Sequence, residues 1–233
     1  MARRRRPRWF VVLVACVLAL LVGSAAPVVL LRWVDPPTTA FMLRDRFLAW
    51  RADTPGYRFA QRWTEWDAIS PHAKRAVVAA EDQKFPAHSG FDLESISDAI
   101  EQRRQGRTTR GASTISQQVA KNLFLWPGQS WLRKGIEAWF TVLIEAFWPK
   151  QRILEVYLNV AEFGPGTFGV GAAAERYFDK PAAQLNPWEA ARLAAVLPNP
   201  KRMSATQPST YVLERQRWIQ QQMGRLGPIE ALL

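Results

Sequence analysis

The sequence reads as a mostly α-helical domain carried behind a single membrane-spanning helix. Three features lead to that reading: an uncharged apolar run near the N-terminus, apolar residues at helical spacing in nearly every later segment, and the lack of convincing strand alternation. The 233 residues suit one ordinary domain or two small ones, and 48% apolar content can fill a core. Disorder, collagen and low complexity are excluded on composition. One cysteine, Cys16, permits no internal disulfide, and with only His72 and His88 a zinc site of the usual kind is nearly excluded.

Phe10 to Leu31 is a run of 22 uncharged residues. At ~1.5 Å per helical residue it spans roughly 33 Å, enough for a bilayer core of about 30 Å. Trp9 and Trp33 bracket it, and Arg3, Arg4, Arg5, Arg6 and Arg8 supply five of the eleven net positive charges. The positive-inside rule then predicts a cytoplasmic basic segment over 1–9, an anchor over 10–34 and an exported domain over 35–233. A cleaved signal peptide is the competing reading, with Gly23-Ser24-Ala25-Ala26 as its small-residue site. The apolar run continuing through Val28, Val29, Leu30 and Leu31 favours the anchor. A spanning helix directly behind the arginines disfavours a nucleic-acid tail, so no nucleic-acid partner is expected.

Asp35-Pro36-Pro37 breaks the chain after the span. Ser70 caps a helix with Pro71 at its first position, running through Val77, Val78 and Ala80 to Glu81. Asp92 opens a second, with Leu93, Ile96 and Ile100 on one face, ending near Gly106. Residues 113–125 form a third with Ile115, Val119 and Leu123 at spacing four. Ser130 caps a fourth whose expected core face is Ile136, Phe140, Leu143 and Phe147, stopped by Pro149. A fifth covers 150–161 with Ile153, Leu154 and Leu158 as core. Asn186-Pro187-Trp188-Glu189 is a capping-box-like start for a helix ending before Pro198, and a last helix covers about 210–225. One short strand is expected near 57–62.

Gly164-Pro165-Gly166-Thr167-Phe168-Gly169 fits G-x-G-x-x-G as a string. A dinucleotide fingerprint must follow a strand within a βαβ unit, and here a helix precedes it, so it reads as a tight turn between helices. No G-x-S-x-G or S-x-x-K motif supplies an acyl-serine nucleophile.

Three clusters carry candidate chemistry. Glu81 and Asp82 end an alanine- and valine-rich helix and are followed by Phe85-Pro86; an apolar wall and the negative helix end both raise a carboxylate's pKa, which suits a general base, although a solvated helix end is the bland alternative. On the helix from 113, Ser113, Gln117 and Lys121 share a stripe, with Gln118 and Asn122 flanking it and Gly111 just before it. Ordinary surfaces favour Glu and Lys, whereas this one presents amides and hydroxyls of the kind that bind sugars and phosphates. Arg133, Lys134 and Glu137 form the third cluster. The Arg133–Glu137 spacing is that of an ordinary surface pair, worth ~0.3–0.5 kcal/mol, and Gly135 inside the helix hints at a close approach.

Together these strings resemble the peptidoglycan glycosyltransferase family, shared by class A penicillin-binding proteins and monofunctional membrane-anchored enzymes. E-D-x-x-F-x-x-H-x-G is met by Glu81 to Gly90, G-x-S-T-I-[ST]-Q-Q-x-x-K-N by Gly111 to Asn122, R-K-x-x-E by Arg133, Lys134 and Glu137, and K-x-x-I-L-E-x-Y-L-N by Lys150 to Asn159. Four ordered motifs of this length are very specific. The likeness extends from about Pro37 to Arg225, and size and single anchor suggest the monofunctional member, with no room for a transpeptidase domain.

The resemblance implies a lysozyme-like α fold with a small membrane-proximal lobe, where Phe41, Met42, Leu43, Phe47, Leu48 and Trp50 supply either lipid-facing surface or ordinary core. It implies polymerisation of lipid II, with a growing chain on undecaprenyl diphosphate as donor and the acceptor 4-hydroxyl deprotonated by Glu81. Glu137 would be the second carboxylate. Lys121, Arg133 and Lys134 would meet the diphosphate, and Ser113, Gln117, Gln118, Asn122 and His88 would contact substrate. No tightly bound cofactor is implied; Mg²⁺ accompanying the diphosphate is the open case. The setting implied is the bacterial inner membrane, with lipid and cell-wall synthesis or division proteins as partners. One departure is Gln129, where many relatives carry arginine after Trp126-Pro127-Gly128; Arg110 or Arg107 would then serve the donor phosphate. The alternatives are a glycan-cleaving lysozyme or lytic transglycosylase, which would not need the basic residues, and a non-catalytic cell-wall scaffold.

Overall fold

The long apolar run forms α1 (Arg8–Leu30), and a computed structural model of the protein describes residues 8–105, 113–128 and 130–231. The helix stops at Leu30, and 31–34 form a turn. Most of its side chains are exposed, but Val28 is fully buried. Donors from the domain satisfy carbonyls that a helix end leaves open. Trp148 Nε1 donates to the Val28 carbonyl at 2.7 Å, and Arg152 Nη2 donates to Leu31 and Val34 carbonyls at 3.1 Å while pairing with Asp35. Arg32 donates to the Phe147 carbonyl at 2.8 Å. The C-terminal end of α1 is thereby fixed to the domain.

Thr39 caps α2 (Ala40–Arg51), which buries Met42 and leaves Leu43, Phe47, Leu48 and Trp50 exposed, Trp50 by 77%. The expected strand is present as β1 (Ala60–Gln61). It pairs in parallel with β3 (Thr167–Phe168), which pairs antiparallel with β2 (Glu162–Gly164). The glycine string therefore turns a small hairpin between strands, not between helices. Gly166 sits at φ +68°, where a Cβ would come 2.7 Å from the Arg58 carbonyl, so glycine is required by both conformation and space.

The remaining helices are α3 (Pro71–Glu81), α4 (Leu93–Arg104), α5 (Ile115–Phe124), α6 (Trp131–Phe147), α7 (Lys150–Val160), α8 (Val170–Phe178), α9 (Pro187–Val196) and α10 (Thr210–Leu226). Ser70, Asp92, Ser130 and Asn186 cap α3, α4, α6 and α9 as their positions predict, Asn186 within a full capping box. The core centres on α7, buried continuously from Ile153 to Val160, with α3 packed on α9 and α10 and α5 on α6 and α7. Alanines and valines on α3 leave little between its axis and its neighbours, which is how Glu81 at its last turn is drawn inside.

Two expected faces differ. Leu93 is 75% exposed, and α4 buries no core stripe among its described side chains. On α6 the buried residues are Glu137, Thr141, Leu143 and Ile144; of the expected face Leu143 is buried, Ile136 and Phe140 are only partly covered and Phe147 is exposed. The helix is rotated because Glu137 points inward. Gly135 meets nothing within 4 Å of an added Cβ, so no close approach explains it.

Candidate active site

The acidic dipeptide ending α3 divides its labour. Asp82 breaks the helix and turns into the fold, where it accepts from the Ile115 amide at 3.0 Å and from His88 Nε2 at 2.9 Å. His88 Nδ1 accepts from the Gly90 amide, which places the ring proton on Nε2. Thr114, the cap of α5, donates to the Gly90 carbonyl at 2.6 Å. A carboxylate on the first amide of a helix is favourable in charge and hydrogen bonding. Asp82 and Gly90 thus pin the start of α5 to the segment after α3. Gly90 itself has φ +87°, and a Cβ there would lie 2.8 Å from Thr141.

Pinning α5 sets Gln118 beside Glu81. Gln118 Nε2 donates to Glu81 Oε2 at 3.0 Å, and Arg215 Nη2 of α10 approaches Oε1 at 3.3 Å. The Glu81 side chain is 14% exposed. Burial raises its pKa above the ordinary glutamate value; the Gln118 bond, Arg215 and Lys121 oppose that rise, and Asp82 adds to it. This matches the direction expected from an apolar helix end.

Gln118 also borders a cleft of ≈ 480 Å³ whose wall carries Ser113, Gln117, Lys121, Arg133, Lys134 and Glu137, closed by Phe41 of α2 and Trp126–Gly128. Glu137 is 3% exposed and is held by Arg133 Nη1 at 2.9 Å and by Lys134 Nζ. It is therefore not the surface pair that its spacing alone would suggest. Arg133 Nε is buried without a hydrogen-bond partner. Lys121 has no carboxylate within ion-pair distance among the described residues; burial lowers its pKa, and its ammonium lies 5.6 Å from the Phe41 ring centre. Three cations against one buried carboxylate leave this wall net positive.

Other predicted residues are placed differently. Ser113 is exposed at the cleft but precedes the cap, so it is not on the stripe of α5. Gln117 borders the cleft, yet its Oε1 accepts from the Thr114 amide in a capping box, leaving its amide group for a ligand. Asn122 is half-buried outside the cleft lining, and His88 is engaged by Asp82 away from it. Arg110, Arg107 and Gln129 lie outside the described residues. The fourth motif is architectural: Lys150 donates to Glu145, which also receives the Ser116 hydroxyl; Glu155 accepts from the Trp66 amide; Asn159 bonds the Thr64 backbone both ways.

Sequence reasoning missed Arg215. Its signal was periodic: Val212, Arg215, Gln216, Ile219 and Met223 share one helical stripe, and an arginine on a core stripe demands an internal partner. A second cavity of ≈ 420 Å³, between the β2–β3 turn, α8 and residues 200–206, holds Arg176 and Lys201, which are bonded to Thr167 and Asp45. None of the motif residues lines it, whereas residues of the second and third motifs line the cleft next to Glu81, which is the better candidate.

The transglycosylase family profile matches residues 51–224. A protein of Xanthomonas euvesicatoria named biosynthetic peptidoglycan transglycosylase is 52% identical over 224 residues, 96% of this chain and 90% of its own length. Proteins of the same name from Pseudomonas fluorescens and Ectopseudomonas mendocina are 52% and 53% identical, covering 94% and 89% of this chain and 91% and 86% of their own. With residues of the second and third motifs lining one cationic cleft next to Glu81 and this likeness running nearly end to end, the chain belongs to the transglycosylase family of biosynthetic peptidoglycan enzymes.

Proposed function

We propose that this protein polymerises lipid II into β-1,4-linked glycan, releasing undecaprenyl diphosphate, with Glu81 as general base. The observation that carries the reading is a carboxylate of raised pKa, gripped by Gln118 and Arg215, beside a cleft whose wall presents Lys121 and Arg133. Glu81 removes the proton of the acceptor 4-hydroxyl as its oxygen attacks the donor C1, inverting that centre. The departing diphosphate needs charge stabilisation rather than a proton, and Lys121 with the Arg133 guanidinium on the cleft wall supplies it. Glu137 aims Arg133 and Lys134 and does not touch the reacting atoms.

Both Glu137 oxygens are engaged by cations, and no group of three or more metal-ligating side chains occurs among the described residues. Glu137 is therefore not free to ligate a Mg²⁺ accompanying the diphosphate, and no step is assigned to the metal. The net-positive wall also disfavours glycan cleavage, which has no diphosphate to neutralise.

Placement follows the same logic. With α1 across the inner membrane and its arginines in the cytoplasm, the domain lies on the outer face, and the exposed apolar side of α2 meets lipid next to Phe41 at the cleft. A lipid-borne donor then reaches the cleft without leaving the bilayer. The test is incubation of full-length protein with labelled lipid II: lysozyme-sensitive polymer is expected from the wild type, and roughly 10²–10⁴-fold less from folded Glu81→Gln. Polymer from both at equal rate reassigns the base.

A further inference from the structure

We infer that Tyr157 is a positioning residue for Glu81, acting through Gln118, and that Arg215 is its counterpart on the other carboxylate oxygen; the inference rests on Glu81 being the base. Tyr157 lies on α7 in the core, 1% exposed, and does not border the cleft. Its hydroxyl lies 3.2 Å from Gln118 Oε1, the same amide whose Nε2 donates to Glu81 Oε2 at 3.0 Å. An amide has two faces, and only the NH₂ face can bond an ionised carboxylate. Tyr157 gives the other face a buried partner, so the amide presents its donor to Glu81 without leaving a carbonyl unpaired. Arg215 reaches Oε1 at 3.3 Å and anchors to the Ala80 carbonyl at 3.3 Å. Each oxygen thus has its own support, from α7 by way of α5 on one side and from α10 on the other.

The groups facing Glu81 are Asp82 from its own chain end, Gln118 and Lys121 from α5, Tyr157 from α7 and Arg215 from α10. Burial and Asp82 favour the protonated acid, and the amide and the two cations favour the carboxylate. Removing one hydrogen bond to the charged form moves the pKa upward by about one unit. Because the base works ionised, activity is lost as pH falls through that value, and a raised pKa moves the acid limb to higher pH.

The experiment measures kcat and KM for lipid II against pH with full-length wild type, Tyr157→Phe, Gln118→Ala, the double variant, and Arg215→Gln with Arg215→Lys as the charge-keeping alternative. Tyr157→Phe keeps the ring in the core, and melting curves check folding. The expected result is an acid limb about one pH unit higher in Gln118→Ala, tenfold in kcat below the limb, with KM little changed. Tyr157→Phe, which removes no bond to Glu81 itself, shifts it in the same direction by less, and the double variant shifts it no further than Gln118→Ala, because both act on Oε2. Arg215→Gln adds its own shift to that of Tyr157→Phe, because it acts on Oε1. A wild-type limb in Tyr157→Phe, or shifts that add in the Tyr157–Gln118 pair, overturns the relay while leaving the base in place. Wild-type polymerisation by Glu81→Gln instead removes the base itself, and the relay with it.

Discussion

Glu81 and Glu137 stand on neighbouring walls of one site and are built as opposites. Glu81 ends a helix, with one neutral amide at 3.0 Å and one guanidinium at 3.3 Å. Glu137 sits in mid-helix, 3% exposed, with Arg133 and Lys134 on its two oxygens. The first is supported loosely enough to receive a proton from a substrate. The second is occupied by cations and acts by aiming them. On the proposed reading, two buried glutamates in motifs of one enzyme are not two catalytic acids, and what decides between them is the partner set rather than burial.

Substitutions sharpen that contrast. Glu81→Gln has the largest effect on activity, and its effect on stability should run the other way. A folded pKa raised above the unfolded value means that ionisation disfavours the native state, so the stability associated with the group is lost as pH rises through the folded pKa. Glu81→Gln is therefore expected to melt higher than wild type at pH 8, with the gap closing toward pH 5. A lower melting temperature at pH 8 breaks the reading of Glu81 as a strained base.

Lys121→Met comes next. Loss of one donor to a leaving group costs roughly 10²–10³ in kcat. Burial disfavours the Lys121 charge, so the variant should fold at least as stably as wild type. The lowered pKa also places the alkaline limb of kcat below the ordinary lysine range, and Lys121→Arg should remove that limb.

Glu137→Gln inverts the pattern, with a smaller effect on turnover and a larger one on the fold. Arg133 and Lys134 lose their common partner; breaking a buried pair costs about 3–5 kcal/mol, and less here because Lys134 is 44% exposed. About 2 kcal/mol corresponds to a melting temperature lower by roughly 4–8 °C in a chain of this size. Turnover should fall about tenfold, since Arg133 remains but is no longer aimed. Loss of activity equal to that of Glu81→Gln, without a drop in melting temperature, would make Glu137 a partner in the chemistry.

The parts of this site legible in the sequence were those set by local rules. Caps at Ser70, Asp92, Ser130 and Asn186 placed helix starts correctly because capping is decided within four residues. The raised pKa of Glu81 followed from its place at an apolar helix end. The illegible parts depend on chain-distant contacts. Arg215 is 134 residues from Glu81, and Tyr157 is 39 from Gln118. His88 matched a motif, but only the fold shows that it serves Asp82. The rotation of α6 could not be read from apolar periodicity, because its buried stripe includes a charged residue whose partners lie on the same helix.

Glu162 offers the control that the two site glutamates need. Burial, aided by Asp45 and opposed by Lys201, pushes its pKa up to about 7, and one of its oxygens is buried without a hydrogen-bond partner. It lies on β2, where Lys201 bridges it to Asp45 of α2, and Asp45 accepts from the Tyr57 hydroxyl at 2.8 Å. None of these residues borders the Glu81 cleft. The native state holds the Glu162 proton more tightly than the unfolded chain does, so its stabilisation is complete below the unfolded value and is lost as pH rises through about 7. Glu162→Gln should flatten the fall in melting temperature between pH 5 and 8 and leave the acid limb of kcat where it is. Glu81→Gln should change both melting slope and turnover. If Glu162→Gln moves the acid limb, the charge cluster joining α2 to the hairpin is coupled to the base, and a raised pKa in this molecule no longer separates the catalytic carboxylate from a structural one.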